Sequence, residues 1–235
     1  QWRLACAWPR FCMTSLSLLQ MVSPALPVGA FSYSEGLEVL IQSGALSDEH
    51  GIEQWMVAEL QRGALRFEAA ALPALAVDLR CWHRSADSVA RSRVIDLDGW
   101  LLAMREAVEV RAQQLQMGGS LLELLAEMGH PLPDVLSLAW PAAWAWASVA
   151  LQVAERPMVE GYLYGWVANQ LSAAVRLVPL GPTRAQVLQQ RLSSQIVDLA
   201  EHLSGVHPQE MWSGGVGASM AQLAHAELYS RLFRS

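Results

Sequence analysis

An all-α fold follows from three features of the sequence. Apolar residues recur every three to four positions almost throughout, Leu and Ala outweigh the β-branched types, and strand-like alternation is nearly absent, with only two Thr in 235 residues. An apolar fraction of 53% against 16% charged residues demands a large buried core. We expect one domain over residues 16–235, a bundle of about eight to ten helices whose central members are apolar on every side. Residues 1–15 are expected to be a poorly ordered N-terminal extension, with Met13 as the natural start.

The elements are expected in this order. A short apolar segment at Leu16–Val22 leads into "SPALPVGAFSYSEGLE" (Ser23–Glu38), where Pro24 and Pro27 preset the backbone and Gly29 and Gly36 allow turns or close approach. A helix from Ser34 to Gln42 stops at Gly44, and Ser47 caps the next, with Asp48 and Glu49 facing its positive dipole end. An apolar helix reaches Leu79, kinked or split by Pro73, and the polar stretch Arg80–Arg93 forms a shorter helix and loop. Asp96 or Asp98 starts a long helix through Leu115, which Gly118 and Gly119 bend or interrupt before Leu121–Met128. Core helices follow at Leu136–Val153 and Met158–Val178, then a helix capped by Thr183 after "PLGP", the loop "SGGVG", and a last helix over Ser219–Leu232.

Composition excludes several function classes. All 16 basic residues are Arg, so the chain has neither the Lys of a phosphate-binding P-loop nor an amine for Schiff-base chemistry. A net charge of −6 with no basic stripe argues against a nucleic-acid partner. Three cysteines without a C-x-x-C pair indicate a reducing compartment. Val135–Ala154 is uncharged over the length of a membrane span, but Pro141, Gln152 and centrally placed tryptophans mark it as a buried helix of a bundle. No H-E-x-x-H, G-x-S-x-G or G-x-G-x-x-G motif is present, and His50, His83, His130, His202, His207 and His225 are scattered.

Four features stay open on residue pattern alone. The Gly214–Gly217 amides form either a plain connection or an anion cradle. "REAVEVRAQQLQMG" carries Arg105, Glu106, Glu109 and Arg111 on either a solvated helical face or a docking face. Arg176, on a stripe with Asn169 and Ala173, is either a buried paired residue or a surface contact. The tail "ELYSRLFRS" either docks on its own core or orders against a partner.

"SPALPVGAFSYSEGLE", "QQLQMGGSLLEL", "SAAVRLVPLG" and "LYSRLFRS" occur in the order and rough spacing of the UreF family of urease accessory proteins, and the sequence resembles that family from Leu16 to Ser235. The resemblance implies a cytoplasmic, all-α homodimer without chemistry of its own. Its partners would be the accessory protein UreD (UreH in some bacteria), the GTPase UreG and apo-urease, with nickel and GTP handled by those partners and no cofactor bound by this chain. It implies partner-contacting residues at Pro27, Gly29, Ser32, Tyr33, Ser34, Gly36 and Glu38 in the opening motif. Arg111, Gln116 and Arg176 join them on the central helices, and Tyr229, Arg231, Leu232, Phe233 and Arg234 in the tail. The sequence departs from the family pattern at Pro182, Ala185 and Ala226 and in "LAWPAAW". Competing classes are a helical enzyme or metal-binding protein with a site shared across a dimer, and a membrane-associated helical protein.

Overall fold

The computed structural model describes residues 11–235, with side chains from Leu16 onward; the expectation for the extension lies mostly outside these residues. Among the described residues ten α-helices fold into one all-α domain: α1 (Phe11–Met21), α2 (Leu37–Gln42), α3 (Glu49–Arg62), α4 (Leu65–Ser85), α5 (Ser88–Ala103), α6 (Val108–Glu127), α7 (Trp140–Ala150), α8 (Glu155–Leu177), α9 (Pro182–Ser204) and α10 (Val216–Ala224). Single 3-10 turns lie at Ala30–Ser32, Pro208–Glu210 and His225–Glu227, and no strand occurs among the described residues.

Helix α4 is the hub. Leu65, Ala69, Leu72, Ala76 and Leu79 recur at helical spacing and are buried, and α3, α5, α7, α8 and α9 pack around them. Pro73 sits inside α4 without splitting it. Helix α7 is enclosed on all sides, as its composition requires, and the two buried indoles find carbonyl partners: Trp144 Nε1 donates to Met158 O at 3.0 Å and Trp146 Nε1 to His130 O at 3.1 Å. It has only 11 residues, and no helix among the described residues is long and apolar enough to cross a membrane.

Several boundaries differ from the sequence expectation for identifiable reasons. Residues 34–36 are not helical; α2 starts after Gly36, which is left-handed at φ +88°. Asp48, not Ser47, caps α3 by accepting from Gly51 N at 2.8 Å. Helix α4 runs on through Arg80–Ser85, and Asp87 caps α5 through Val89 N and Ala90 N. The long helix expected from Asp96 or Asp98 is two helices, because Arg105 leaves the helical path to meet Glu68 in the core. Asp98 lies within α5 and reaches across to the amide of Ala139 at the start of α7.

Helix α6 passes straight through Gly118 and Gly119. Gly118 is required by contact: a Cβ there would stand 2.2 Å from Leu138 O. Pro182 occupies the first turn of α9, a position that suits proline, so Gly181 rather than Thr183 is the cap. The helix expected over Ser219–Leu232 ends at Ala224, and residues 228–235 turn back onto the domain instead.

Candidate partner-docking site

Residues 23–38 and 228–235 meet on one side of α6 and α8. Gly29 (φ +74°) and Gly36 (φ +88°) both adopt the conformation open to glycine. At Gly36 a Cβ would also lie 2.9 Å from Gln222 N, so α10 approaches the motif backbone directly. Glu35 holds φ +50° despite its side chain. Gln113 Nε2 and Trp166 Nε1 donate to its carboxylate at 2.8 and 3.2 Å and fix it there.

Glu38 forms the centre of the clasp. Its buried carboxylate accepts the consecutive amides of Leu232 at 2.7 Å and Phe233 at 3.0 Å, and Gln42 Nε2 at 3.1 Å. His225, fully buried, stands between two carboxylates, with Nε2 3.3 Å from Glu38 and Nδ1 2.7 Å from Glu109. Arg231 donates to the other oxygen of Glu109 at 2.7 Å. At the far end of the segment, Ser235 O accepts Ser34 Oγ at 2.7 Å, Ser34 N at 2.7 Å and Glu35 N at 3.1 Å. Phe233 is buried under the Arg176 guanidinium, which lies 4.4 Å from its ring centroid and donates to Phe31 O at 3.0 Å. Ionised acceptors on backbone amides are the stronger class of hydrogen bond, so a short segment is held without helix or sheet.

Beneath this surface lies a buried charge cluster. Arg105 Nε donates to Glu68 at 2.7 Å, and Tyr162 donates its hydroxyl to the other carboxylate oxygen at 2.7 Å. Burial pushes Glu68 above the ordinary carboxylate range, with Arg105 opposing, and burial also pushes Tyr162 up. Burial raises Glu59 to about 7 and Asp98 to about 6. A cleft of about 530 Å³ opens beside Phe31 and Arg176 and reaches Glu35 and Glu68 at its base. Among the described residues no group of three or more His, Cys, Asp or Glu is placed to hold a metal ion.

The residues singled out by sequence therefore divide. Pro27, Gln116, Arg176, Tyr229, Arg231, Leu232 and Arg234 are exposed, and Gly29, Ser32 and Arg111 are partly so. Tyr33, Ser34, Gly36, Glu38 and Phe233 are buried, which corrects the expectation that Tyr33 and Ser34 lie at a surface. The hydroxyl of Tyr33 is taken up by Gln116 at 2.7 Å within the molecule. Arg111, on α6, braces the turn between α5 and α6 through Glu106 O at 2.9 Å; with Arg105 buried and Glu109 engaged in the clasp, the charged stretch is not a solvated face. Arg176 is exposed, which corrects the preferred pattern reading of it as a buried paired residue.

Phe31, Glu35, Gln113, Trp166 and His225 complete the clasp with Glu109; the sequence offered Glu109 for a docking face but did not single out the other five. The one available signal was that four of them sit inside or beside recognised motifs.

Comparison with known proteins adds to this geometry. The UreF family model matches residues 46–193. This chain belongs to the UreF family. Relatives named urease accessory protein UreF include that of Prochlorococcus marinus subsp. pastoris (strain CCMP1986 / NIES-2087 / MED4), 37% identical with 92% of this chain and 96% of the relative covered. Others are those of Thermosynechococcus vestitus (strain NIES-2133 / IAM M-273 / BP-1), 36% identical over 94% and 97%, and Microcystis aeruginosa (strain NIES-843 / IAM M-2473), 37% identical over 94% and 97%. Both segments of the clasp lie outside the span matched by the UreF model, which ends inside α9. The departures from the UreF pattern sit easily in the fold: Pro182 starts α9, Ala185 packs in the core, and Ala226 is exposed.

Proposed function

We propose that this chain is a urease accessory protein that works by presenting helical surfaces to other polypeptides. In this reading it forms a cytoplasmic homodimer and joins a UreD- or UreH-type accessory protein and a UreG-type GTPase on apo-urease. It regulates the GTPase and assists nickel insertion, while nickel and GTP are bound by the partners. The membership of the UreF family, with relatives named urease accessory protein along nearly their whole length, carries the reading.

The clasp supports it physically. Glu38, Ser34 and Arg176 fix residues 228–235 in one conformation, which leaves the side chains of Phe31, Tyr229 and Leu232 in solvent. Preordered aromatic and apolar side chains lose little entropy on docking, so a rigid clasp strengthens binding without adding contacts.

Co-purification with UreD- and UreG-type partners tests the proposal. The wild-type chain should retain both. The double variant Tyr229→Ala/Leu232→Ala should lose the accessory partner at unchanged helical content, since both side chains are exposed and leave the core intact. Retention of every partner by that variant refutes this docking surface, and failure of the wild-type chain to capture any partner refutes the functional reading.

A further inference from the structure

A second cleft, of about 790 Å³, lies where α4, α6 and α7 end, lined by Arg80, His83 and Arg84 on one wall and by the His130–Pro133 loop on the other. We propose that it docks an extended acidic segment of a protein partner. It is separate from the clasp: Gly129 at its edge lies about 20 Å along the α6 axis from Gln116.

The two arginines at this cleft form no ion pair among the described residues. Arg80 and Arg84 are four residues apart on one face of α4 and both are exposed. Among the described residues neither makes an ion pair or a side-chain hydrogen bond, and residues 1–15 contain no acid that could supply one. Three of the acids near this end of the bundle are engaged elsewhere, and exposed Glu127 and Glu155 pair with neither arginine. Asp78 is held by Arg93, Asp134 pairs with Arg91, and Asp87 caps α5. No carboxylate lines the cleft, although the chain as a whole carries −6.

Arginines at a helix C-terminus commonly serve the helix itself, by offsetting its negative end. Here neither arginine donates to a helix carbonyl among the described residues, and one carbonyl at each helix end is capped by a backbone amide. Ala86 N caps Trp82 O, His130 N caps Leu125 O, and Val153 N caps Ser148 O. Both guanidinium groups belong to exposed side chains.

The rest of the lining selects among anions. Pro131 and Pro133 have no N–H, so the loop offers few amides to cradle a phosphate. Leu132, Val149 and Trp146 add apolar lining, and Trp146 meets the ring of His83 edge-on at 5.2 Å. Carboxylates for the arginines, combined with an apolar side chain for this surface, describe an acidic peptide better than a nucleotide or inorganic phosphate.

The test uses the full chain and a fluorescein-labelled hexapeptide of alternating glutamate and leucine, followed by anisotropy in about 50 mM and about 300 mM NaCl. Saturable binding that weakens with salt is expected. The Arg80→Glu/Arg84→Glu variant should lose at least about tenfold in affinity and Arg80→Gln/Arg84→Gln about half of that effect on a logarithmic scale, whereas Arg184→Glu, exposed on α9, should change it less than about twofold. Absence of saturable binding, equal binding by the doubly reversed variant at wild-type helical content, or displacement of the peptide by phosphate or GTP at lower concentration than by unlabelled peptide would each overturn the proposal.

Discussion

Replacing Glu38 by Gln should free residues 228–235 while leaving the bundle folded. The carboxylate accepts the amides of Leu232 and Phe233, one on each oxygen, and approaches His225 on the Phe233 side. An amide keeps one acceptor oxygen and turns its NH2 toward donors on the other side, so at least one buried N–H loses its partner. Hydrogen bonds to charged groups contribute about 1.5–3 kcal/mol each, and the second bond also weakens as the charge is lost. Local detachment lets the orphaned amide reach water, which limits the net cost to about 2–4 kcal/mol of local opening free energy. That corresponds to amide exchange about 30- to 1,000-fold faster at Leu232 and Phe233. Hydrogen exchange resolved at these two amides, with buried Leu163 in α8 as an internal reference, measures it directly. Trypsin cleavage after Arg231 should accelerate in parallel. If both amides exchange at the wild-type rate in Glu38→Gln, the clasp does not hold the segment and the reasoning fails.

Other consequences of the structure can be checked by equilibrium unfolding. Gly36→Ala should cost clearly more than Gly44→Ala: both positions have positive φ, worth about 1–2 kcal/mol, but only Gly36 faces backbone at 2.9 Å whereas Gly44 faces open space. Urea denaturation of the two variants should separate their midpoints, and equal midpoints would remove the close approach of α10 from the account. Glu59, raised from 4.5 to about 7 by burial, favours the folded protein when protonated, so its contribution is complete below pH about 4.5 and lost as pH rises through about 7. Glu59→Gln should therefore gain stability over wild type by up to about 3 kcal/mol between pH 5 and 8; a pH-independent difference contradicts this. Arg105→Met leaves Glu68 buried without its cation and should destabilise by about 3–5 kcal/mol, less at acid pH, where Glu68 takes up a proton.

The bundle was legible because burial follows period. Leu65, Leu72 and Leu79 announce the inner face of α4, and the Trp- and Ala-rich run of α7 can satisfy its composition only when surrounded. Boundaries were less legible where long-range partners override local preference. Arg105 sits in a sequence that continues a helical pattern, yet its pairing with Glu68, 37 residues away, breaks the helix there. Gly118 reads as a helix breaker, but its role is set by Leu138 O, a neighbour that no local window contains.

The candidate site divides along the same line. Pattern and resemblance identified Ser23–Glu38 and the last residues as important, and Pro and Gly content marked the first as neither helix nor strand. Nothing in the order of residues states that these two stretches bind each other. Glu38 and Phe233 are 195 positions apart, and their contact exists because α2, α6, α8 and α10 close around it. Tyr33, Ser34 and Phe233 look like surface residues in a motif and become interior ones for that reason, while Tyr229 and Leu232 stay outside. Amino-acid order sets which faces must leave water, since hydrophobicity and backbone geometry are local properties. Which polar groups become one another's partners is decided only when distant segments are brought together, because a buried donor accepts whichever acceptor the packing delivers.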